Sequence, residues 1–217
     1  MHLDGARLWH VAIDTGMSLT ELCAPFDSAS LCLSKGLGAP VGTCLVGSKI
    51  FIDKARWFRK AFGGGMRQTG ILAASAAYAL SHNFPQLPRV HALAKRLQRG
   101  LEDLGVGILC PAETCMVLNK QSWPRSLLTD FVQVFFDSST IGVEYEEVVR
   151  RATTLPDPIT LNGSRLVVHI QTSSGAIDDF LQLMNELRDE KLKEGFRPST
   201  VQTLAAGTRT MNVYGST

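Results

Sequence analysis

One lysine stands at the end of an apolar stretch, where its amine could act as a nucleophile. The stretch over residues 30–33 ends in Ser34-Lys35-Gly36, and Gly38 and Pro40 follow closely. In α/β proteins ligands bind at strand ends, and glycines let the backbone pass close to them. An isolated Ser-Lys-Gly is more typical of a solvated lysine in a turn. The alternative is a lysine that forms a Schiff base with an aldehyde.

A carboxylate lies one predicted strand earlier, at Asp4, and a guanidinium follows at Arg7. Alone, Asp4 could be the N-cap of a helix, with Arg7 as its ion-pair partner. Together with Lys35, Asp4 suits a pyridine cofactor that carries an aldehyde. Such a cofactor needs a lysine to bind it and a carboxylate to keep its ring nitrogen protonated, because the protonated ring accepts electrons.

Three segments resemble, in order and spacing, signatures of the low-specificity L-threonine aldolases. These are fold-type I pyridoxal-phosphate enzymes of the aromatic amino acid beta-eliminating lyase/threonine aldolase superfamily. The segments are HLDGARL at residues 2–8, CLSKGLGAPVG at 32–42 and GGGMRQ at 63–68. A fourth, SRLVVH at 164–169, resembles a C-terminal signature. The resemblance covers residues 1–194, and three motifs in register rarely arise by chance.

The resemblance implies a role for five residues of this sequence. Lys35 matches the Schiff-base lysine, and Asp4 matches the carboxylate that pairs with the pyridine nitrogen. Arg7 and Arg165 match arginines near the cofactor oxygen and the substrate carboxylate, a role that suits a planar guanidinium. Arg67 matches a residue that reaches the cofactor phosphate across a subunit interface.

The implied activity is that of a pyridoxal 5'-phosphate-dependent carbon–carbon lyase. It would cleave L-threonine or L-allo-threonine to glycine and acetaldehyde by a retro-aldol step, in threonine catabolism and glycine biosynthesis. The resemblance further implies a cytoplasmic homo-oligomer, a tetramer or a dimer, with a small amino acid as substrate. Neither nucleic acid nor membrane is expected as a partner.

In that family the aspartate motif lies near the middle of the large domain. The resemblance therefore predicts that the N-terminal half is absent from this sequence, which would leave sheet edges and an apolar face exposed. Two other functions stay open. One is a non-catalytic fragment that acts at most by associating with complete subunits, and the other is a sister activity such as β-elimination or racemisation.

Composition fits a globular protein of one or two domains. The 217 residues are 45% hydrophobic and 19% charged, with a net charge of +2, so no polyanionic partner is indicated. The five cysteines are odd in number and contain no CxxC pair, which favours free core thiols over disulfides or a zinc site. The first residues predict no secretory signal, and no apolar run is long enough to span a membrane.

The resemblance implies an α/β fold, namely part of a fold-type I large domain with a mostly parallel sheet in three layers. The order of the later elements predicts that a small α+β domain follows. The boundaries predicted are 1–84, 85–194 and a disordered tail at 195–217. Apolar periodicity predicts helices at 6–13, 18–24, 49–62, 67–81, 86–104, 126–136 and 177–194. It predicts strands at 1–4, 28–34, 41–46, 107–109, 115–118, 141–145 and 165–171.

Other polar and aromatic residues are expected to be structural. The histidines at 10, 82 and 91 lie on predicted helices, with His91 on the outer side of its helix. His169 alternates along the last strand beside Arg165, but a structural role is favoured. Lys60 matches a further family lysine and fits an exposed helix face equally well. The three tryptophans are expected to be packing residues.

Overall fold

The computed structural model describes residues 1–110, 133–161 and 163–197. Its first sheet has three strands in the order β1 (His2–Gly5), β2 (Ser28–Cys32) and β3 (Thr43–Gly47). β1 and β2 are parallel, with Asp4 opposite Ser30, whereas β3 runs antiparallel to β2. The parallel pair brings the end of β1 and the end of β2 to the same edge of the sheet.

Two short helices connect β1 to β2. α1 (Leu8–Thr15) begins immediately after Arg7 and ends at Gly16, whose φ of 69° is in the left-handed region that glycine tolerates. α2 (Leu19–Cys23) has the predicted capping box, in which Ser18 and Glu21 each accept a hydrogen bond from the other's backbone amide.

Two further helices follow β3 and bury none of their residues within the described chain. α3 (Lys49–Ala61) is capped by Ser48, whose side chain accepts a hydrogen bond from the amide of Phe51 at 3.3 Å. α4 (Gly70–Tyr78) continues into a π-helical turn at Ala79–Asn83 and a 3-10 turn at Phe84–Gln86.

The second half is built on a second three-stranded sheet. α5 (Leu87–Asp103) leads into β4 (Gly107–Cys110), and the antiparallel order is β4, β5 (Gln133–Asp137), β6 (Arg165–Val167). α6 (Tyr145–Ala152) follows β5, and α7 (Ser174–Lys193) closes the described chain. The two sheets support the predicted succession of a partial α/β sheet and an α+β unit.

The main core lies where α5 meets α1, α7 and the second sheet. The largest fully buried apolar side chains there are Leu8, Leu87, Val90, Leu101, Val134, Phe136, Met184 and Leu187. Phe136 meets Phe180 edge to face, with ring centroids 6.0 Å apart. This core holds α5 against β4 and β5, and β6 pairs with β5.

Two element predictions were wrong. The predicted helix at 126–136 is strand β5 in its described part, where Val134 and Phe136 are buried and Phe135 is half-buried. The aromatic and β-branched residues of this segment fit the spacing of a helix and also that of a strand. Pairing with β4 and β6 stabilises the strand. The predicted strand at 141–145 is instead a 3-10 turn, a left-handed Gly142 with φ 77°, and the start of α6.

Several other predictions meet a mixed outcome. The strand predicted at 165–171 ends at Val167, and the strand at 115–118 lies outside the described residues. Trp9 is buried as expected, but Trp57 is exposed, and Cys44 is exposed rather than in the core. His91, expected on an outer face, is buried. Of the tail, residues 198–217 lie outside the described chain.

Among the described helices, none has the length and apolar character that a membrane span requires.

Candidate functional site

Three of the five predicted site residues line one cavity. The cavity has a volume of about 290 Å³ and lies between the turn after β2, the start of α1, α5 and β6. It is lined by Arg7, Lys35 and Arg165, together with His10, Gly36, Val90, Val167, Val168 and His169. One amine and two guanidinium groups therefore converge on a single space, which favours an anionic ligand.

The turn that carries Lys35 is closed by its own backbone. The amide of Leu33 donates to the carbonyl of Gly42, and the amide of Ala39 donates to the carbonyl of Leu33, both at 3.0 Å. The amide of Gly38 donates to the carbonyl of Lys35 at 2.9 Å. Gly38 has a φ of 66°, so this turn requires a residue that tolerates the left-handed region.

Side chains from outside the turn hold it in place. The indole N–H of Trp9 donates to the carbonyl oxygen of Cys32 at 2.8 Å, where β2 ends. The amide nitrogen of the Asn83 side chain donates to the carbonyl oxygen of Leu37 at 2.7 Å. Leu37 itself is fully buried. The position of the Lys35 backbone is therefore fixed, while its side chain is exposed to the cavity and solvent.

The opposite wall comes from β6 and the residues that follow it. Arg165 begins β6 opposite Phe135 of β5, and its side chain is exposed, whereas Leu166 and Val168 point into the core. Arg165 and His169 also line a second, larger cavity of about 480 Å³ between α5, α7 and residues 157–161. The two cavities are thus neighbours on either side of Arg165.

Two buried histidines lie behind Lys35. Nδ1 of His10 and Nε2 of His91 are 2.8 Å apart, and the two rings are stacked with centroids 5.1 Å apart. Burial above all, together with the neighbouring His91 and Arg7, lowers the pKa of His10 from 6.5 to about 4. Burial also lowers the pKa of His91. Both imidazoles are consequently neutral at pH 7.

The other two predicted residues lie away from this cavity. Asp4 is exposed in β1, where its carboxylate accepts a hydrogen bond from the amide of Ala6 at 3.1 Å. Arg67 is exposed between α3 and α4, and neither of the two cavities described above includes it. The roles expected for Asp4 and Arg67 remain predictions.

Sequence reasoning missed His10 and undervalued His169. Both line the cavity; His10 belongs to none of the motifs quoted above, whereas His169 is the last residue of the segment SRLVVH but was expected to be structural. The only signal for His10 was its place three residues after Arg7, one helical turn along α1. The described residues contain no group of three His, Cys, Asp or Glu side chains that could hold a metal ion.

The fold and the lysine turn define the class of protein. The solved structure of a threonine aldolase from Leishmania major superimposes with a TM-score of 0.58 at 19% sequence identity, covering 86% of this chain and 51% of that one. A likeness at this identity shows the fold alone. Residues 1–122 match the beta-eliminating lyase family, and the chain belongs to that family.

Curated relatives are similar over most of this chain. The "Probable low-specificity L-threonine aldolase" of Schizosaccharomyces pombe is 41% identical over 178 residues, which is 82% of this chain and 41% of that protein. The low-specificity L-threonine aldolase of Candida albicans is 37% identical over 179 residues, 82% of this chain and 43% of that protein. The chain thus spans about two fifths of the length of these relatives.

Proposed function

We propose that this chain carries part of the active site of a pyridoxal 5'-phosphate-dependent carbon–carbon lyase that acts on L-threonine or L-allo-threonine. One observation carries the proposal: Lys35, Arg7 and Arg165 line the same cavity although Arg7 and Arg165 are far apart in sequence. The names of the relatives from Schizosaccharomyces pombe and Candida albicans support this substrate class.

The chemistry of the donor set fits the cofactor. Pyridoxal phosphate carries an aldehyde, and Lys35 offers an amine in a cavity between two structured walls. Lys35 would hold the cofactor, Asp4 would accept a hydrogen bond from its ring nitrogen and keep that nitrogen protonated, and Arg67 would bind its phosphate. When bound, the cofactor supplies an electron sink for the pair released from the substrate's Cα–Cβ bond.

The residues of this chain perform binding and proton handling. The guanidinium groups of Arg7 and Arg165 bind the substrate carboxylate, which fixes the orientation of the Cα–Cβ bond. The Lys35 amine takes up and returns a proton as substrate and product exchange. A second candidate base is His169, which lines the same cavity as Arg165 and would take the proton of the substrate hydroxyl. When the Cα–Cβ bond breaks, the deprotonated hydroxyl oxygen becomes the carbonyl oxygen of the aldehyde, and a proton delivered to Cα completes glycine.

The finer expectations extend this proposal to the whole protein. We infer a cytoplasmic homo-oligomer, tetramer or dimer, in which Arg67 reaches a neighbouring subunit's cofactor. Residues 1–84 would belong to the cofactor domain and residues 85–194 to the small domain. The product glycine would link the enzyme to threonine catabolism and glycine biosynthesis.

The decisive experiment traps the cofactor on the chain. Pyridoxal phosphate is added to the purified protein, borohydride reduces the lysine–cofactor linkage, and peptides are analysed by mass spectrometry. We expect the added mass on the peptide that contains Lys35, and its loss in Lys35→Ala. Lys49→Ala is the matched control, because Lys49 is an exposed lysine on α3 that does not line the cavity. Modification spread equally over exposed lysines would refute the proposal.

A second reaction is favoured by the family description, which names β-elimination. The two reactions differ in their products, since retro-aldol cleavage of threonine gives glycine and acetaldehyde, whereas elimination gives ammonia and a keto acid. Assays of all four products with threonine, allo-threonine and serine separate them. Keto acid without glycine would replace the aldolase with an eliminating lyase on the same lysine.

A further inference from the structure

Three consecutive residues of α5 contact both walls of the lysine cavity. Val90 is buried and forms part of the cavity lining, between its neighbours Arg89 and His91. His91 reaches the wall that carries Lys35, and Arg89 reaches the wall that carries Arg165. Helix α5 therefore connects the wall that carries Lys35 to the wall that carries Arg165. No local sequence pattern indicates this connection.

On the lysine side the contact passes through His10. Its Nδ1 lies 2.8 Å from Nε2 of His91, and only 1% of His10 and 5% of His91 are exposed. The other end of the His10 ring lies on Gly36, the residue directly after Lys35. A Cβ atom built on Gly36 would lie 2.0 Å from Nε2 of His10 and less than 3.0 Å from Cδ2 and Cε1. Gly36 must therefore be glycine as long as His10 keeps this position.

On the other side Arg89 holds the segment after β6. Its Nη1 donates to the carbonyl oxygen of Thr172 at 2.9 Å, and its Nη2 donates to the carbonyl oxygen of Ile170 at 2.5 Å. His169, which lines the cavity, directly precedes this segment. The hydrogen bonds from one guanidinium thus fix the backbone that follows the Arg165 wall.

We propose that His10, held by His91, is a positioning residue that sets the Lys35 turn against the Arg165 wall. The inference rests on the proposed function for the role of Lys35 as the cofactor-binding residue. The contact between His10 and Gly36 does not depend on that function. His10 acts through Gly36 and touches neither substrate nor cofactor in this role. Because both rings are buried, moving His10 requires breaking its bond to His91 and shifting its neighbours.

The protonation state of the pair supports this role. Both histidines have lowered pKa values, so at pH 7 the pair shares a single N–H between Nδ1 of His10 and Nε2 of His91. The charged groups that face the pair are Arg7 on the α1 side, and Asp14 and Lys95 near His91. Asp14 and Lys95 are 3.3 Å apart and form an ion pair between α1 and α5.

The first test needs no cofactor. Amide hydrogen exchange is measured on the purified chain for His10→Ala, His10→Asn and Gly36→Ala. We expect exchange of residues 34–38 to be about tenfold faster in His10→Ala and in Gly36→Ala, with α7 unchanged. His10→Asn keeps a group that reaches His91 but loses the ring end that lies on Gly36, so its exchange should also rise, though less than in His10→Ala. The matched controls are His82→Ala, at an exposed histidine, and Gly70→Ala, where an added Cβ meets nothing within 4 Å.

The second test asks whether a smaller side chain at position 10 reverses the effect of Gly36→Ala. Asparagine at position 10 lacks the outer end of the imidazole, so the double variant Gly36→Ala with His10→Asn should restore slow exchange that Gly36→Ala alone loses. Borohydride trapping on Lys35 should need about tenfold more pyridoxal phosphate in Gly36→Ala and recover in the double variant. An unchanged turn in Gly36→Ala, or a double variant worse than either single one, would overturn the proposal. If the parent chain traps no cofactor, the proposed function fails, while hydrogen exchange still decides the positioning role.

Discussion

Helices α5 and α3 have similar amphipathic patterns but very different surroundings. Each has apolar residues at intervals of three and four beside a charged side. α5 buries seven of its residues against α1, α7 and the second sheet, whereas α3 packs against β3 and buries none within the described chain. An amphipathic pattern therefore identifies which face seeks burial, but another part of the molecule has to provide the burial.

α4 makes the contrast sharper. Its residues are apolar on nearly every side, yet none is buried within the described chain. Ile71 of α4 is 83% exposed, as is Ile50 of α3, and Phe62 after α3 is 85% exposed. An exposed apolar surface of this kind is typical of an interaction site rather than of a solvated face. α3 and α4 thus form a surface suited to contact with further polypeptide, while α5 is already part of a core.

The largest expected effect compares two phenylalanines. Phe136→Ala removes a fully buried ring that packs on Phe180 and should lower the free energy of unfolding by about 3–5 kcal/mol. Phe62→Ala changes the same residue type in the exposed region and should shift it by no more than about 0.5 kcal/mol. Urea unfolding of both variants measures the difference. Equal losses would mean that α3 is covered in solution.

The next effect concerns pH and the buried histidine pair. The folded protein holds the pKa of His10 at about 4, whereas the unfolded chain has the ordinary 6.5. Between these values the unfolded chain binds more protons, so the free energy of unfolding falls as pH falls, by up to about 1.4 kcal/mol per pH unit. This stability is fully present above pH 6.5.

Unfolding measured across this pH range checks the linkage. His10→Asn should lose the slope due to His10 and keep a smaller one from His91, whose pKa is also lowered. His82→Asn, at an exposed histidine near α4, should retain the full slope. The same acid slope in parent and His10→Asn would show that His10 is accessible to protons in the folded state.

The smallest effect compares two helix caps. Ser173 caps α7 through the amide of Ala176 at 3.0 Å, and Ser48 caps α3 through the amide of Phe51. Ser173→Ala should cost about 1 kcal/mol in urea unfolding, because α7 unfolds together with the core. Ser48→Ala should leave the global transition in place and instead speed amide exchange in the first turn of α3. If both variants lowered the free energy of global unfolding, α3 would have to unfold together with the core, contrary to this prediction.

Local signals made several elements predictable from the sequence. The capping box at Ser18 and Glu21 specified the start of α2, and the long apolar periodicity specified α5. β5 was not predictable in this way, because its residues fit a helical spacing until β4 and β6 pair with it. α6 has charges placed for a helix, with Glu147 in the first turn and Arg151 in the last, but it is short and follows Gly142 closely.

The residues of the site also fall into those with a local sequence signal and those that depend on long-range packing. The motif around Lys35 is contiguous, so the sequence could indicate its chemistry, but the approach of Arg165 to Arg7 depends on packing across α5. His91 was assigned to an outer face because α5 was considered as an isolated helix. α1 covers that side of α5, and this contact between elements about eighty residues apart has no local sequence signature.

The support of the cavity by α5 also has a consequence for the order of folding. The backbone hydrogen bonds of the lysine turn are local, but the cavity forms only after α1, α5 and β6 have docked. Contacts between residues so distant in sequence carry a large loop-closure cost, and they slow folding. We therefore expect a refolding chain to form its sheets and helices first and to complete the lysine cavity last.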